Sequence, residues 1–138
     1  MTGEFNHTMD SKGRLFIPAR LREKLGASFY VTVSDEKCLW AFSAESWNDF
    51  VTKVREMTYM ERKKMRPFFS SATRCDVDAQ GRALIPQNLR QYADLKKNIT
   101  VLGCDDHAEI WDSDIWEPIN KKETSPLYIG EVLKEINF

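Results

Sequence analysis

Asp10-Ser-Lys-Gly-Arg-Leu-Phe-Ile-Pro18 is written a second time as Asp78-Ala-Gln-Gly-Arg-Ala-Leu-Ile-Pro86, with Asp, Gly, Arg, Ile and Pro at identical spacing. The register extends outward from both copies. Leu21-Arg22 matches Leu89-Arg90, and Val31-Thr-Val33 matches Ile99-Thr-Val101. After one residue of slippage, Phe42 matches Trp111 and Trp47 matches Trp116. Two copies of a unit of roughly fifty residues thus account for most of the chain, fewer than the three or so that a stacked solenoid needs. A duplicated half-domain folded as a pseudo-two-fold pair is expected instead.

Each copy carries the same local plan. Glu4-Phe-Asn-His-Thr-Met9 alternates apolar and polar side chains, as a half-buried strand does. Asp10 to Gly13 reads as a tight turn, in which Asp accepts from a backbone amide two residues on and Gly supplies a positive φ. Arg14-Leu-Phe-Ile17 resumes as a strand, and Pro18 opens a short helix that Gly26 stops. Residues 29–33 and 38–42 form a strand pair. Ser43 caps a helix with Trp47, Phe50, Val51, Val54 and Met57 on one face. Thr58 with Glu61 is a capping box for a basic helix running to about Arg66. Pro67 marks a bend, and Phe68-Phe69 supplies packing surface. The second copy predicts strands over 72–77, 82–85, 99–104 and 108–111, with a helix over 86–95. A further helix opens at Ile115-Trp116, and an amphipathic one covers 127–136, with Gly130 inside it.

Length fits one domain, 1–138, with a real core. It divides into a first repeat over 5–50, a helical connector over 51–71, a second repeat over 72–118 and a C-terminal helical segment over 119–138. No apolar run approaches the ~18 residues of a membrane span, and no basic-then-apolar signal opens the chain. The expected location is the cytoplasm, without a membrane partner. The formal net charge of −1 conceals a basic N-terminal part and middle and an acidic stretch beyond Cys104. Cys38, Cys75 and Cys104 are odd in number and lack Cys-x-x-Cys spacing, so they read as small core or strand residues.

A lone Asp-x-x-Gly says only "hairpin". Here it recurs in equivalent places, and each Gly is followed at once by an Arg that the turn does not require. Such a pair suits double-stranded DNA. Arg pairs bidentately with guanine, Gln pairs with adenine, Lys neutralises phosphate, and a two-stranded ribbon enters the major groove. The candidate DNA-binding residues are Lys12, Arg14, Gln80 and Arg82. Asp10, Gly13, Asp78 and Gly81 are expected to brace the loops and stay off the DNA.

With two Asp-x-x-Gly-Arg turns, each followed by a strand, Pro and a short helix, the chain resembles the MraZ family. The resemblance also takes in Gly3-Glu4, His7, Trp47 and Glu109-Ile-Trp111. It implies an α+β fold: a pseudo-two-fold β-barrel of two AbrB-like swapped-hairpin repeats with flanking short helices. It further implies a bacterial transcriptional regulator, located at the nucleoid as well as in the cytoplasm. Such a protein binds direct repeats in the promoter of its own division and cell-wall gene cluster and assembles with itself into a ring. Asp10 with Arg14, and Asp78 with Arg82, fall on the family's Asp-x-x-x-Arg positions, and Lys12 on its basic turn position. Gln80 and Ala79 make the second turn less basic.

Two other classes compete with this reading. The chain has no Gly-x-Ser-x-Gly elbow, phosphate loop or His-Glu-x-x-His. His7 and His107 stand apart without ligand-spaced neighbours, so no catalytic residue, metal ligand or cofactor is expected. An antitoxin-like module of the same fold that grips a protein is the alternative, because fold alone does not decide function.

Overall fold

The computed structural model describes residues 1–138. The first repeat forms β1 (Glu4–Thr8), β2 (Arg14–Phe16), α1 (Ala19–Leu25), β3 (Ser28–Val33), β4 (Leu39–Ser43) and α2 (Ala44–Arg55). The connector forms α3 (Tyr59–Lys63) and α4 (Arg66–Ser71). The second repeat forms β5 (Thr73–Asp76), β6 (Arg82–Leu84), α5 (Gln87–Tyr92), β7 (Asn98–Gly103), β8 (Ala108–Asp112) and α6 (Ser113–Glu123). The chain then continues into α7 (Pro126–Glu135).

The helix ends follow the side chains available to cap them. Ser43 accepts from the Ser46 amide at 3.1 Å at the start of α2. Thr58 and Glu61 cap α3 reciprocally, satisfying two amides that the helix leaves free. Gly26 takes φ 87° at the end of α1, where its N–H donates to the Arg22 carbonyl. Pro67 differs from expectation. It does not merely bend the chain but sits in the first turn of α4, where a missing N–H breaks no bond. The helix expected over 86–95 stops at Tyr92, and Asp94 then turns the chain out at φ 50°.

The repeats interlock. The main sheet runs β1-β7-β8-β4-β3-β5, and β2 pairs only with β6. Exchanging the equivalent strands of the two repeats reverses this order and leaves it unchanged. β1 lies on β7 of the other repeat, with Phe5 opposite Val101, and β5 lies on β3, with Cys75 opposite Phe29. Every ladder is antiparallel. The architecture is therefore mixed α+β, a mostly antiparallel sheet with several short helices. The expected barrel does not close through continuous ladders. Past the ends of β1 and β5 the chain makes isolated bridges to the ribbon rather than ladders, Met9 with Leu15 and Val77 with Ala83. The three-residue strands β2 and β6 pair with each other instead.

Matching residues of the two copies meet in one core: Leu15 with Ala83, Ile17 with Ile85, and Leu21 with Leu89, all at most 2 % exposed. Truncating such a leucine costs about 2–5 kcal/mol. Around α2 and α4 an aromatic layer forms, with Phe68 stacked on Trp40 at 5.8 Å and Trp47 stacked on Phe50 at 5.5 Å. Cys38 and Cys75 are buried, and burial pushes each thiol up to about 12. Cys104 is only half-buried. No helix is long and apolar enough to cross a membrane.

Candidate nucleic-acid interface

The β2–β6 ribbon sets Arg14 opposite Leu84 and Phe16 opposite Arg82. Leu15 and Ala83 point into the core, so alternation sends Arg14, Phe16, Arg82 and Leu84 to the outer face. Antiparallel pairing makes Arg14 and Arg82 diagonal neighbours across that face. The two turns are joined to the opposite strands by backbone bonds. The Ile85 amide donates to the Gly13 carbonyl at 2.9 Å, and the Ile17 amide donates to Gly81 at 2.8 Å.

Within the first turn, Asp10 Oδ1 accepts from the amides of Lys12 at 3.0 Å and Arg14 at 2.9 Å. Its Oδ2 accepts from Arg14 Nε at 2.6 Å. The Arg14 amide, then the Arg14 side chain and the Lys12 amide, hold the Asp10 carboxyl below its ordinary range. In the second turn Asp78 Oδ1 accepts from the amides of Gln80 and Arg82, each at 2.9 Å. Those two bonds, with the charges of Arg82 and Arg14, lower Asp78 in the same way. Both carboxylates are ionised at neutral pH and hold the backbone of their turns.

The guanidiniums are placed differently. Arg14 is bound to its own Asp10. Arg82 lies 3.5 Å from Asp78, donates to Gln80 Oε1, and reaches Asp10 of the other turn at 3.8 Å. Asp10 thus touches both arginines. The arginine side chains are about one-third exposed, at 35 % for Arg14 and 30 % for Arg82.

Two further cations belong to the face and were missed at the sequence level. A Cβ on Gly13 would lie 2.6 Å from the Arg90 guanidinium, and one on Gly81 would lie 3.4 Å from that of Arg22. Each short helix therefore lays its arginine across the turn of the other repeat. Arg90 is anchored by its Nε donating to the Ile85 carbonyl at 2.9 Å. The Nε of Arg22 is buried without an acceptor, and that of Arg82 has only its 3.5 Å ion pair with Asp78. Lys96 and Lys97 line a hollow beside Asp10 and Ser11. Lys12 and Gln80 are exposed at the turn tips. The repeated Leu-Arg pair at 21–22 and 89–90 was the available signal, but only the fold shows which turn each arginine covers.

A family model described as "MraZ protein, putative antitoxin-like" matches residues 1–66 and 68–127. The chain belongs to the MraZ family.

Among MraZ relatives, "Transcriptional regulator MraZ" of Moorella thermoacetica is 42 % identical, covering 99 % of this chain and 96 % of its own. The protein of the same name from Ligilactobacillus salivarius is 44 % identical over 83 % of this chain and 82 % of its own. The one from Thermoanaerobacter sp. is 36 % identical over 99 % of both. Among solved structures, the solution structure of PHS018 from Pyrococcus horikoshii aligns with a TM-score of 0.32 and 15 % identity, over 79 % of this chain and 86 % of that one.

Proposed function

We propose that this chain regulates transcription by binding double-stranded DNA sequence-specifically through the outer face of the β2–β6 ribbon. The carrying observation is that both turns open on one surface, where Arg82 lies 3.8 Å from the other turn's Asp10 and Arg22 and Arg90 flank them. Arg14 and Arg82 turn from their carboxylates to base edges, while Lys12 and Gln80 reach phosphate or adenine from the tips. Phe16 and Leu84, 37 % and 56 % exposed between the arginines, offer apolar contact to thymine methyls. Asp10, Gly13, Asp78 and Gly81 keep the loops in shape. The names of the relatives support regulation of transcription rather than catalysis.

In this reading 5–50 and 72–118 are two AbrB-like units joined by 51–71, and the operator is a set of direct repeats in the chain's own promoter, ahead of division and cell-wall genes. One protomer makes few phosphate contacts, so several must act together through effective concentration. Protomers sharing one side of B-DNA need repeats about one helical turn, ~10 bp, apart. A second copy also suits the protein surface. The apolar face of α7, with Leu127, Val132, Leu133 and Ile136, is exposed beside Glu131 and Glu135. A groove along α2–α4 has an apolar floor of Trp47, Val51 and Phe69 and a rim including Arg55, Arg62 and Arg66. None of these arginines forms an ion pair. Docking α7 of one copy in the groove of the next is head-to-tail and closes into a ring when the rotation permits.

A gel-shift assay with DNA from upstream of its own gene tests the proposal. Arg14→Ala should weaken the shift while the protein stays folded and oligomeric, and an unchanged shift in Arg14→Ala/Arg82→Ala would overturn the assigned contacts. An antitoxin-like module that holds a protein would show no sequence-dependent shift at all.

A further inference from the structure

The tip of the β7–β8 hairpin gathers groups that DNA binding leaves unused. Cys104, His107 and Glu109 are half-buried, and one ligand-type atom from each lies within 4.8 Å of the others. The hairpin brings them together. The Cys104 amide donates to the His107 carbonyl at 2.8 Å, closing a turn in which Asp105 takes φ 68°. Glu109 follows His107 by two residues, the spacing that keeps side chains on one face of a strand.

Each polar ligand already has an orienting partner. His107 Nδ1 lies 2.7 Å from Asp106 Oδ1, and Glu109 Oε1 accepts from Trp111 Nε1 at 3.0 Å. An imidazole held by a carboxylate is the usual outer arrangement around a metal-binding histidine. Trp40 packs against the same tip. It sits opposite Glu109 in the β4–β8 ladder, and its ring meets that of His107 edge-on at 5.2 Å. Its indole N–H is buried with no acceptor. The surrounding field is negative. Asp106 and Glu36 stand close enough to Cys104 to act on it, against the N-terminal ammonium.

We propose that Cys104, His107 and Glu109 form a three-ligand site for a divalent transition metal of the zinc class, with a fourth position open to water. A thiolate with an imidazole selects zinc-like ions over magnesium or calcium, which prefer oxygen alone. Ligand atoms about 2.0–2.3 Å from a tetrahedral metal stand roughly 3.3–3.8 Å apart. Side-chain rotation at the hairpin tip closes the remaining distance. As the Sγ–metal bond forms, the Cys104 thiol gives its proton to solvent, and nothing is oxidised or reduced. Cysteines without Cys-x-x-Cys spacing and two distant histidines give no metal motif in the sequence. Cys104-x-x-His107-x-Glu109 becomes legible only with the hairpin register.

The test is a titration of the full chain, reduced and stripped by chelator, with Co²⁺ and then Zn²⁺. One equivalent of cobalt should bring a near-ultraviolet thiolate-to-cobalt band with visible four-coordinate bands, and zinc should bleach both. Cys104→Ser should abolish the near-ultraviolet band, whereas Cys38→Ser and Cys75→Ser keep it. His107→Gln and Glu109→Gln should weaken uptake at least about tenfold, and Asp106→Asn about 10–100-fold. Far-ultraviolet circular dichroism checks each fold. Should Cys104→Ser not fold, the folded His107→Gln and Glu109→Gln variants decide the matter by the same bands. The site is overturned if cobalt gives no saturable thiolate band, if the band survives in Cys104→Ser, or if His107→Gln and Glu109→Gln bind as the parent does.

Discussion

The two Asp-x-x-Gly-Arg turns share a backbone and differ in their charges. In the first, Arg14 is tied to its own carboxylate at 2.6 Å, Lys12 projects, and Arg90, Lys96 and Lys97 stand nearby. In the second, Gln80 replaces the lysine, and Arg82 is drawn toward Asp78, Gln80 and Asp10 at once. Asp10 thus serves both turns, whereas the Asp78 carboxylate bonds only within its own. A duplicated motif has kept its frame and divided its contacts. The first turn is the more basic, and the second depends on the first for the placement of its arginine.

Removing both arginines is the strongest way to break this comparison. Each base-reading arginine is worth about 1–3 kcal/mol of DNA binding. Arg14→Ala/Arg82→Ala should therefore abolish a specific shift in fluorescence anisotropy, and each single variant should lose about 5- to 150-fold in affinity. Next in size is the pair of carboxylates. Asp10→Ala should weaken DNA binding and lower Tm more than Asp78→Ala, because only Asp10 touches both guanidiniums. Equal effects would show that the turns act independently. The glycines come third. Both require positive φ, 86° at Gly13 and 78° at Gly81, but a Cβ meets Arg90 at 2.6 Å in the first and Phe16 at 3.3 Å in the second. Gly13→Ala should thus cost more stability than Gly81→Ala in a urea melt.

The turn tips give the smallest effect and sharpen the contrast most directly. Lys12→Ala should reduce the slope of log affinity against log salt by about 0.9, and Gln80→Lys should raise it by a like amount. Acid tests the frame itself. Both carboxyls are held below their ordinary range in the fold, so their contribution is complete above an unfolded Asp pKa of about 4 and fades as pH falls through the lower folded values. Tm should show no dependence on these two groups between about pH 5 and 8. Loss of the turns should set in only in acid, and more gently in Asp78→Ala, which has one such group fewer.

The repeat, the turns and the helix starts are legible in the sequence because each rests on neighbours within a few residues. Asp10 caps amides two and four positions on, Thr58 and Glu61 cap each other, and alternation places Leu15 inside. The exposed Phe16 and Leu84 follow from that same alternation. Arg22 and Arg90 do not, since each lies on the turn of the other repeat. Pro67 misleads for a local reason. A proline at a helix start and one at a bend look alike until the following residues are seen to continue the helix.

The amino-acid order alone determined that two like half-units exist, that each has an Asp-braced corner bearing an arginine, and that the chain is of the MraZ kind. Tertiary structure decided that β1 and β5 exchange partners between halves, which brings the two corners to one surface. It also decided that Asp10 holds arginines from both corners and that Cys104, His107 and Glu109 meet at a hairpin tip. Turns and caps are written in short-range hydrogen bonds that a few residues specify. Strand exchange is a choice among long-range pairings of similar local energy, settled only when both halves bury their apolar faces in a common core.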